Sequence, residues 1–409
     1  MNLKQRSTCA ATCLLMVLYS SDVNPHAAAQ TNCSAITAAN IADCVRLNQI
    51  QMLGTHNSYH IAGQPAMLES IGARARDIEY THRPLVEQFS QLGIRQIELD
   101  VFADPEGGRF ASPAARRTIK GLDAPGPELL KPGFKVLHMQ DIDYRSTCTT
   151  LVACLSATSD WSRSNPGHVP ILILIEAKDS PIDDPNNAGY VKPLPIDGAA
   201  FRALEREILS VFSADRIVTP DRVRGRHATL ASALQADGWP TLRAVRGKVL
   251  FALDNTDDHR TEYLRGNPSL EGRVMFVSGS PGEASAAFVK MNEALGDDEN
   301  RIRETVKSGY LVRTRADIPT VEARTGSTLR RDAAFRSGAQ YVSTDYPEPS
   351  PFGSGYLARL PEAERLPARC NPVTAPVGCR SEWLEPAQAA EPVPPTIAEP
   401  TSRPSSTAQ

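Results

Sequence analysis

Eight short apolar runs, at residues 50–53, 94–102, 135–139, 170–175, 249–253, 274–278, 310–313 and 340–343, are spaced along the chain by helical or irregular stretches. Runs of this length suit buried strands better than helices, and strands that alternate with helices imply a parallel sheet whose two faces are both covered. Helical candidates at 82–92, 198–213, 228–236, 283–295, 298–308 and 329–337 fill the gaps, several opening after Ser, Asp or Pro and closing near Gly. Eight such units predict an α/β chain folded as a TIM-type (β/α)₈ barrel with a single catalytic domain. An open doubly wound sheet would give a similar pattern. Three long connections, 103–133, 141–169 and 179–247, break the rhythm, and long loops on a barrel commonly build the rim of the site.

The ends of the chain read differently. Lys4 and Arg6 precede an apolar run from Cys9 to Tyr19 and a small-residue stretch closing on Ala27-Ala28-Ala29, the pattern of a secretory signal peptide over 1–29. The apolar run is well short of the roughly 20 residues that cross a bilayer. Cleavage near Ala29 would make the chain secreted or periplasmic, with no transmembrane segment left in the mature protein. The domain plan is then a segment at 30–45 tied by a disulfide, a barrel at 46–350, an extension at 351–385, and a disordered tail at 386–409 rich in Pro, Ala, Ser and Thr. The formal charge of −3 argues against nucleic acid as a partner. Six cysteines remain after the leader, and an even number in an exported chain suggests disulfides. Six cysteines allow 15 connectivities, of which the sequential pairs Cys33–Cys44, Cys148–Cys154 and Cys370–Cys379 are the most economical. A zinc site is the weaker alternative, since no pair has C-x-x-C spacing.

Polar residues cluster where the apolar runs end. In Gln96-Ile97-Glu98-Leu99-Asp100-Val101 the period of two puts Glu98 and Asp100 on one face and the apolar residues on the other. Glu176 and Lys178 continue one face of the apolar run 171–175, where a carboxylate is costly unless it is paired or bound to metal. The first run leads into His56-Asn57-Ser58, and the third carries His138. Oxygen ligands without cysteine suit a hard cation such as Ca²⁺, and histidines suit proton transfer. The set is Asn57, Glu98, Asp100 and Glu176 around the metal, with His56 and His138 beside it. Each residue taken singly has a plainer reading as a turn residue, a hydrogen-bonded strand end or a solvated ion pair. Together they mark the ends of four successive runs, which is where barrel enzymes place their chemistry.

The segment Leu47-Asn48-Gln49-Ile50-Gln51-Met52-Leu53-Gly54-Thr55-His56-Asn57-Ser58-Tyr59-His60, followed by Ile97-Glu98-Leu99-Asp100, Val136-Leu137-His138, Leu174-Ile175-Glu176-Ala177-Lys178 and Tyr341-Val342-Ser343-Thr344-Asp345-Tyr346-Pro347, resembles the bacterial calcium-dependent phosphoinositide-specific phospholipases C over residues 45–350. The same residues match, in order, the calcium site and histidine pair of the eukaryotic phosphoinositide phospholipase C barrel. The resemblance implies a calcium-dependent phosphoric diester hydrolase acting on a phospholipid at a membrane surface through peripheral contact. Its products would be diacylglycerol and a cyclic inositol phosphate.

In that scheme Ca²⁺ would contact the inositol 2-hydroxyl and a phosphate oxygen, His56 would stabilise the pentacovalent phosphorus, His138 would protonate the departing diacylglycerol oxygen, and a ligand carboxylate such as Glu98 would take the hydroxyl proton. Lys178, Arg313 and Arg315 are candidates for phosphate recognition, with surface ion pairs as the plainer reading. Asp254 and Asp345 end two further runs and would orient a histidine or bind inositol hydroxyls. Two rivals remain open at this level. One is a glycerophosphodiester phosphodiesterase on a similar barrel, whose usual His-Arg-Gly opening is here His56-Asn57-Ser58. The other is an inactive secreted barrel that binds lipid or glycan.

Overall fold

The computed structural model describes residues 32–184, 187–363 and 366–385. The expected leader and the Pro-rich tail fall outside these residues. Ten strands form one sheet: β1 (Ile50–Thr55), β2 (Gln96–Phe102), β3 (Lys135–Val136), β4 (Ile171–Ala177), β5 (Val249–Leu253), β6 (Met275–Val277), β7 (Phe288–Lys290), β8 (Leu311–Arg315), β9 (Tyr341–Thr344) and β10 (Ala368–Cys370). Eight of them run parallel in the order β6-β5-β4-β2-β1-β9-β8-β7. A parallel bridge between Ser278 and Phe288 joins the two ends of that path, so the sheet closes into a (β/α)₈ barrel.

Two of the expected runs behave differently. Only Lys135 and Val136 of run 135–139 are strand, and they pair antiparallel with Phe102 and Val101 on the rim of β2 instead of entering the ring. The missing barrel strand is β7, inside the stretch 283–295 that reads as helix. Three residues are too few to display a period of two, and Ala-rich flanks imitate helix, so the pairing with β8 (Phe288 with Leu311, Lys290 with Arg313) decides the conformation.

The strands are buried along nearly their whole length, as expected for a parallel sheet with helices outside and packed side chains inside. Ile97, Leu99 and Val101 of β2 and the Ile171–Ile175 run of β4 belong to the same large apolar core as Phe201, Leu204 and Ile208 of helix Gly198–Val211. Asp197 caps that helix by accepting from the amides of Ala199 and Ala200. Inside the barrel, Gly54 is required by its neighbour: a Cβ there would lie 2.0 Å from Gln96 Oε1.

The segment past residue 350 is built into the barrel. β10 pairs antiparallel with β1, matching Ile50 to Cys370 and Met52 to Ala368. The carboxylate of Glu385 clamps the buried Arg95 guanidinium through both oxygens and accepts from the Val169 amide at 2.9 Å. Removing the charge would leave Arg95 buried without its counter-ion. Glu385→Gln is expected to lower the unfolding free energy by about 2–3 kcal/mol in a urea titration; an unchanged midpoint would show that the clamp contributes nothing. The disulfides are Cys33–Cys44, Cys148–Cys154 and Cys370–Cys379. Among the described residues no helix is long and apolar enough to cross a membrane.

Candidate active site and metal centre

Parallel register sets the first carboxylates side by side. Asp100 of β2 stands opposite Glu176 of β4, and Glu98 stands one layer deeper, opposite Leu174. Asp254 follows directly on β5. Glu98, Glu176 and Asp254 each offer one oxygen, and these oxygens lie within 4.8 Å of one another. Asp254, which the sequence suggested as a histidine or hydroxyl partner, therefore belongs to the carboxylate cluster.

Cations answer this charge from the neighbouring strands. Arg313 Nη2 lies 2.6 Å from Glu98 Oε2, and Nη1 donates to Asn292 Oδ1; with only 1% of its surface exposed, Arg313 acts here as a counter-ion held beneath Glu98. Lys290 Nζ lies 2.6 Å from Asp254 Oδ2. Lys178 Nζ lies 3.3 Å from Asp100 Oδ2 and 3.6 Å from Glu176 Oε1. Burial raises the Glu98 carboxyl to about 7 against the pull of Arg313, with Asp254 and Glu176 adding to the rise. Burial and the Glu176 charge likewise push Asp100 well above the carboxylate range, opposed by Lys178.

Several oxygens on β2 and just beyond β1 and β5 have no hydrogen-bond partner. Asn57 Oδ1, Asp100 Oδ1 and Asp254 Oδ1 are buried and accept no hydrogen bond. Each such atom costs roughly 1–3 kcal/mol, and a hard cation with oxygen ligands would satisfy them together. Asn57 is held for this by its backbone, with φ at +44°, and by its own amide, which donates to Tyr80 Oη at 2.9 Å. The donor set fits Ca²⁺.

The two histidines sit on either side of Tyr80 and His60. His56 Nδ1 is 2.8 Å from Asp345 Oδ1, at the end of β9. Its Nε2 faces Arg315 Nη1 at 3.5 Å and Glu98 Oε1 at 3.7 Å. Burial and the Arg315 charge push the imidazole down to about 3, against Asp345, so His56 is neutral, with its proton on Nδ1 and a bare Nε2. Arg315 Nη2 also pairs with Asp345 Oδ2 at 2.9 Å. Behind Asp345, the carboxylate of Asp317 accepts from the Asp345 amide at 2.8 Å, from the Tyr356 hydroxyl at 2.9 Å and from Thr344 Oγ1.

His138 does not come from a barrel strand. It leaves β3 and enters a tight turn in which Met139 and Asp143 pair with each other and Asp141 adopts φ +69°. The turn returns Asp143 Oδ2 to within 2.7 Å of His138 Nδ1. Side-chain exposures of 20% for His56 and 19% for His138 keep both rings within reach of the mouth. Burial alone would raise Asp143, but His60 and His138 together hold it below the usual carboxylate range.

Sequence reasoning did not single out Asp143, Lys290 or Asp317. Asp143 is five residues beyond His138, and only the turn brings the two together. Lys290 went unnoticed because its strand did.

The chain matches the sequence profile of the family described as phosphoinositide phospholipase C, Ca²⁺-dependent, over residues 45–372, a span that runs through β10. No curated protein sequence matches the chain. Among solved structures it is similar to a calcium-dependent phosphoinositol-specific phospholipase C from a Pseudomonas species, with 15% identity over 80% of this chain and 96% of that one and a TM-score of 0.48. It is also similar to a Ca²⁺-dependent phosphatidylinositol-specific phospholipase C from Streptomyces antibioticus, with 18% identity over 74% and 95% and a TM-score of 0.47. A phosphatidylinositol-specific phospholipase C from Listeria monocytogenes shows 13% identity over 78% and 97%, with a TM-score of 0.43.

Proposed function

The chain belongs to the family of Ca²⁺-dependent phosphoinositide phospholipases C, which are phosphoric diester hydrolases, and from this premise we propose that it cleaves phosphatidylinositol-type lipids to diacylglycerol and a cyclic inositol phosphate. The observation that carries the reading is the pair of imidazoles, each backed by its own carboxylate, His56 on Asp345 and His138 on Asp143, at 2.8 and 2.7 Å. Two oriented histidines beside a cluster of oxygen ligands are what an intramolecular attack on a phosphodiester requires, one to accept a proton and one to give it.

Asn57, Glu98, Asp100 and Glu176, with Asp254 among the carboxylates beside them, would hold Ca²⁺, which when bound would supply Lewis-acid charge for the phosphate and for ionising a sugar hydroxyl. His56 takes the proton of the inositol 2-hydroxyl on its bare Nε2. Asp345 holds the opposite nitrogen protonated and stabilises the imidazolium that forms. We assign the base to His56 in place of Glu98, because one Glu98 oxygen is already engaged by Arg313, and the Arg315 charge that helps hold the free His56 ring low is neutralised once the substrate phosphate sits against that guanidinium. The negative charge that grows on the phosphoryl oxygens is met by Arg315, whose guanidinium lies 3.5 Å from His56 Nε2. His138, with Nδ1–H fixed on Asp143, gives the proton of its Nε2 to the departing diacylglycerol oxygen. Lys178, beside Asp100 and Glu176 at the edge of the cluster, is placed to meet a phosphate oxygen.

The disulfides and the lack of a membrane-crossing helix among the described residues fit an extracellular or periplasmic protein. We place it there, exported by cleavage near Ala29, with its lipid reached by peripheral contact. Glu176→Gln is expected to raise the calcium concentration for half-maximal activity by roughly tenfold, since charge count sets the affinity of such sites; an unchanged calcium titration would remove Glu176 from the ligand set. The substrate class is tested by offering phosphatidylinositol, phosphatidylcholine and glycerophosphoinositol at equal concentration. Preferential release of diacylglycerol from phosphatidylinositol supports the reading. A preference for glycerophosphoinositol would contradict it.

A further inference from the structure

His60 lies four residues beyond His56 and takes no part in the chemistry above, yet its surroundings are fully determined. Its side chain is 0% exposed. Nδ1 lies 3.0 Å from the carbonyl oxygen of Tyr80, and Nε2 lies 2.9 Å from Asp143 Oδ2. The ring packs on Tyr80 with centroids 4.4 Å apart and meets His138 edge-on at 5.6 Å. A carbonyl oxygen can only accept, so Nδ1 carries a proton. The short contact from Nε2 to a carboxylate oxygen then needs a second proton between His60 and Asp143, because a bare nitrogen facing a bare oxygen would repel it.

The backbone fixes His60 equally firmly. Its amide donates to Asn57 O at 2.8 Å and its carbonyl accepts from the His82 amide at 2.9 Å, and it forms an antiparallel bridge with Ser146, just past the turn that carries Asp143. His60 thus ties the loop bearing His56 and Asn57 to the turn bearing His138 and Asp143.

We propose that His60 is a positioning residue: through its hydrogen bond to Asp143 it fixes the carboxylate that holds His138 with Nδ1 protonated, leaving His138 Nε2 toward the mouth. This inference rests on His138 being the acid of the proposed reaction. Asp143 Oδ2 is the oxygen that receives both rings, so rotation of the carboxylate would break both contacts at once. His60 is the partner that opposes such rotation, since Asp143 Oδ1 has no hydrogen bond of its own.

The test combines kinetics with ring-nitrogen NMR on the full chain. His60→Gln is expected to lower kcat about tenfold to a hundredfold, by analogy with the loss on removing a group that orients a metal-bound imidazole, with the KM for phosphatidylinositol and the half-saturating calcium unchanged. Adding His60→Gln to Asp143→Asn should cost nothing further, because the two act through one contact. Losses that add, or a fall in kcat matched by a weaker calcium response, would overturn the proposal and leave His60 a structural residue. The spectra do not depend on activity. In the wild-type chain the Nδ1 proton of His138 should give one hydrogen-bonded signal, held on Asp143 whether or not Nε2 carries the proton to be donated, and that signal should become a mixture in His60→Gln. A wild-type His138 with no proton held on Nδ1, or an unaltered His138 signal in the variant, would sink the idea even if the chain hydrolysed no lipid. If the variant does not fold, the wild-type spectrum alone decides.

Discussion

Asp345→Asn is expected to lower kcat for phosphatidylinositol by about 10³ to 10⁴ while leaving calcium binding close to normal. An asparagine can turn its amide nitrogen toward His56 Nδ1, which moves the ring proton to Nε2 and leaves the base with nothing to accept with; in hydrolases that depend on an Asp–His pair, the wrong tautomer costs on the order of 10⁴ in turnover. The substitution also frees Arg315 Nη2 from its 2.9 Å contact with Asp345, so part of the loss will come from a guanidinium that no longer points at the phosphate. Arg315→Gln isolates that share. The two oxygens of Asp345 are already taken by His56 and Arg315, so the calcium titration should barely move. Turnover within tenfold of wild type would show that His56 is not the base.

His138→Ala is expected to lower turnover at least about a hundredfold, the lower range for losing general acid catalysis, again with calcium binding intact. The departing diacylglycerol oxygen is a poor leaving group unless it is protonated as its bond to phosphorus breaks. A substrate carrying an acidic aryl alcohol in place of diacylglycerol leaves without that help, so the same variant should lose far less on it. Equal losses on the two substrates would mean that His138 does something other than donate the leaving-group proton, and near-normal turnover on the lipid would remove it from the mechanism.

The barrel was legible because strands such as Ile171–Ala177 are apolar almost throughout and are separated by capped helices such as Gly198–Val211. Period-two placement put Glu98 and Asp100 on one face, and the register of β2 against β4 sets Asp100 opposite Glu176. What the sequence did not disclose depends on contacts between distant residues. Phe288–Lys290 is a strand only because β8 pairs with it, and its Lys290 came with it unseen. Run 135–139 has strand composition, but the chain turns antiparallel at Lys135 and Val136 and delivers His138 from the rim. Asp143 and Asp317 are buried carboxylates whose roles come from what folds against them, a turn in one case and the Tyr356 hydroxyl in the other; neither has a periodicity that could have announced it. Residues 351–385 read as a packed or disulfide-tied extension, and the pairing of β10 with β1 is a long-range contact that no local pattern discloses.

The reaction itself is tested most directly by incubating the chain with phosphatidylinositol vesicles, first with calcium and then with excess chelator, and following the water-soluble product by phosphorus NMR. Release of a five-membered cyclic inositol phosphate with calcium, abolished by chelator and restored by adding calcium back, is the predicted result. No release in either condition, or release of an acyclic phosphate with no cyclic precursor, would contradict attack by the inositol 2-hydroxyl at this site.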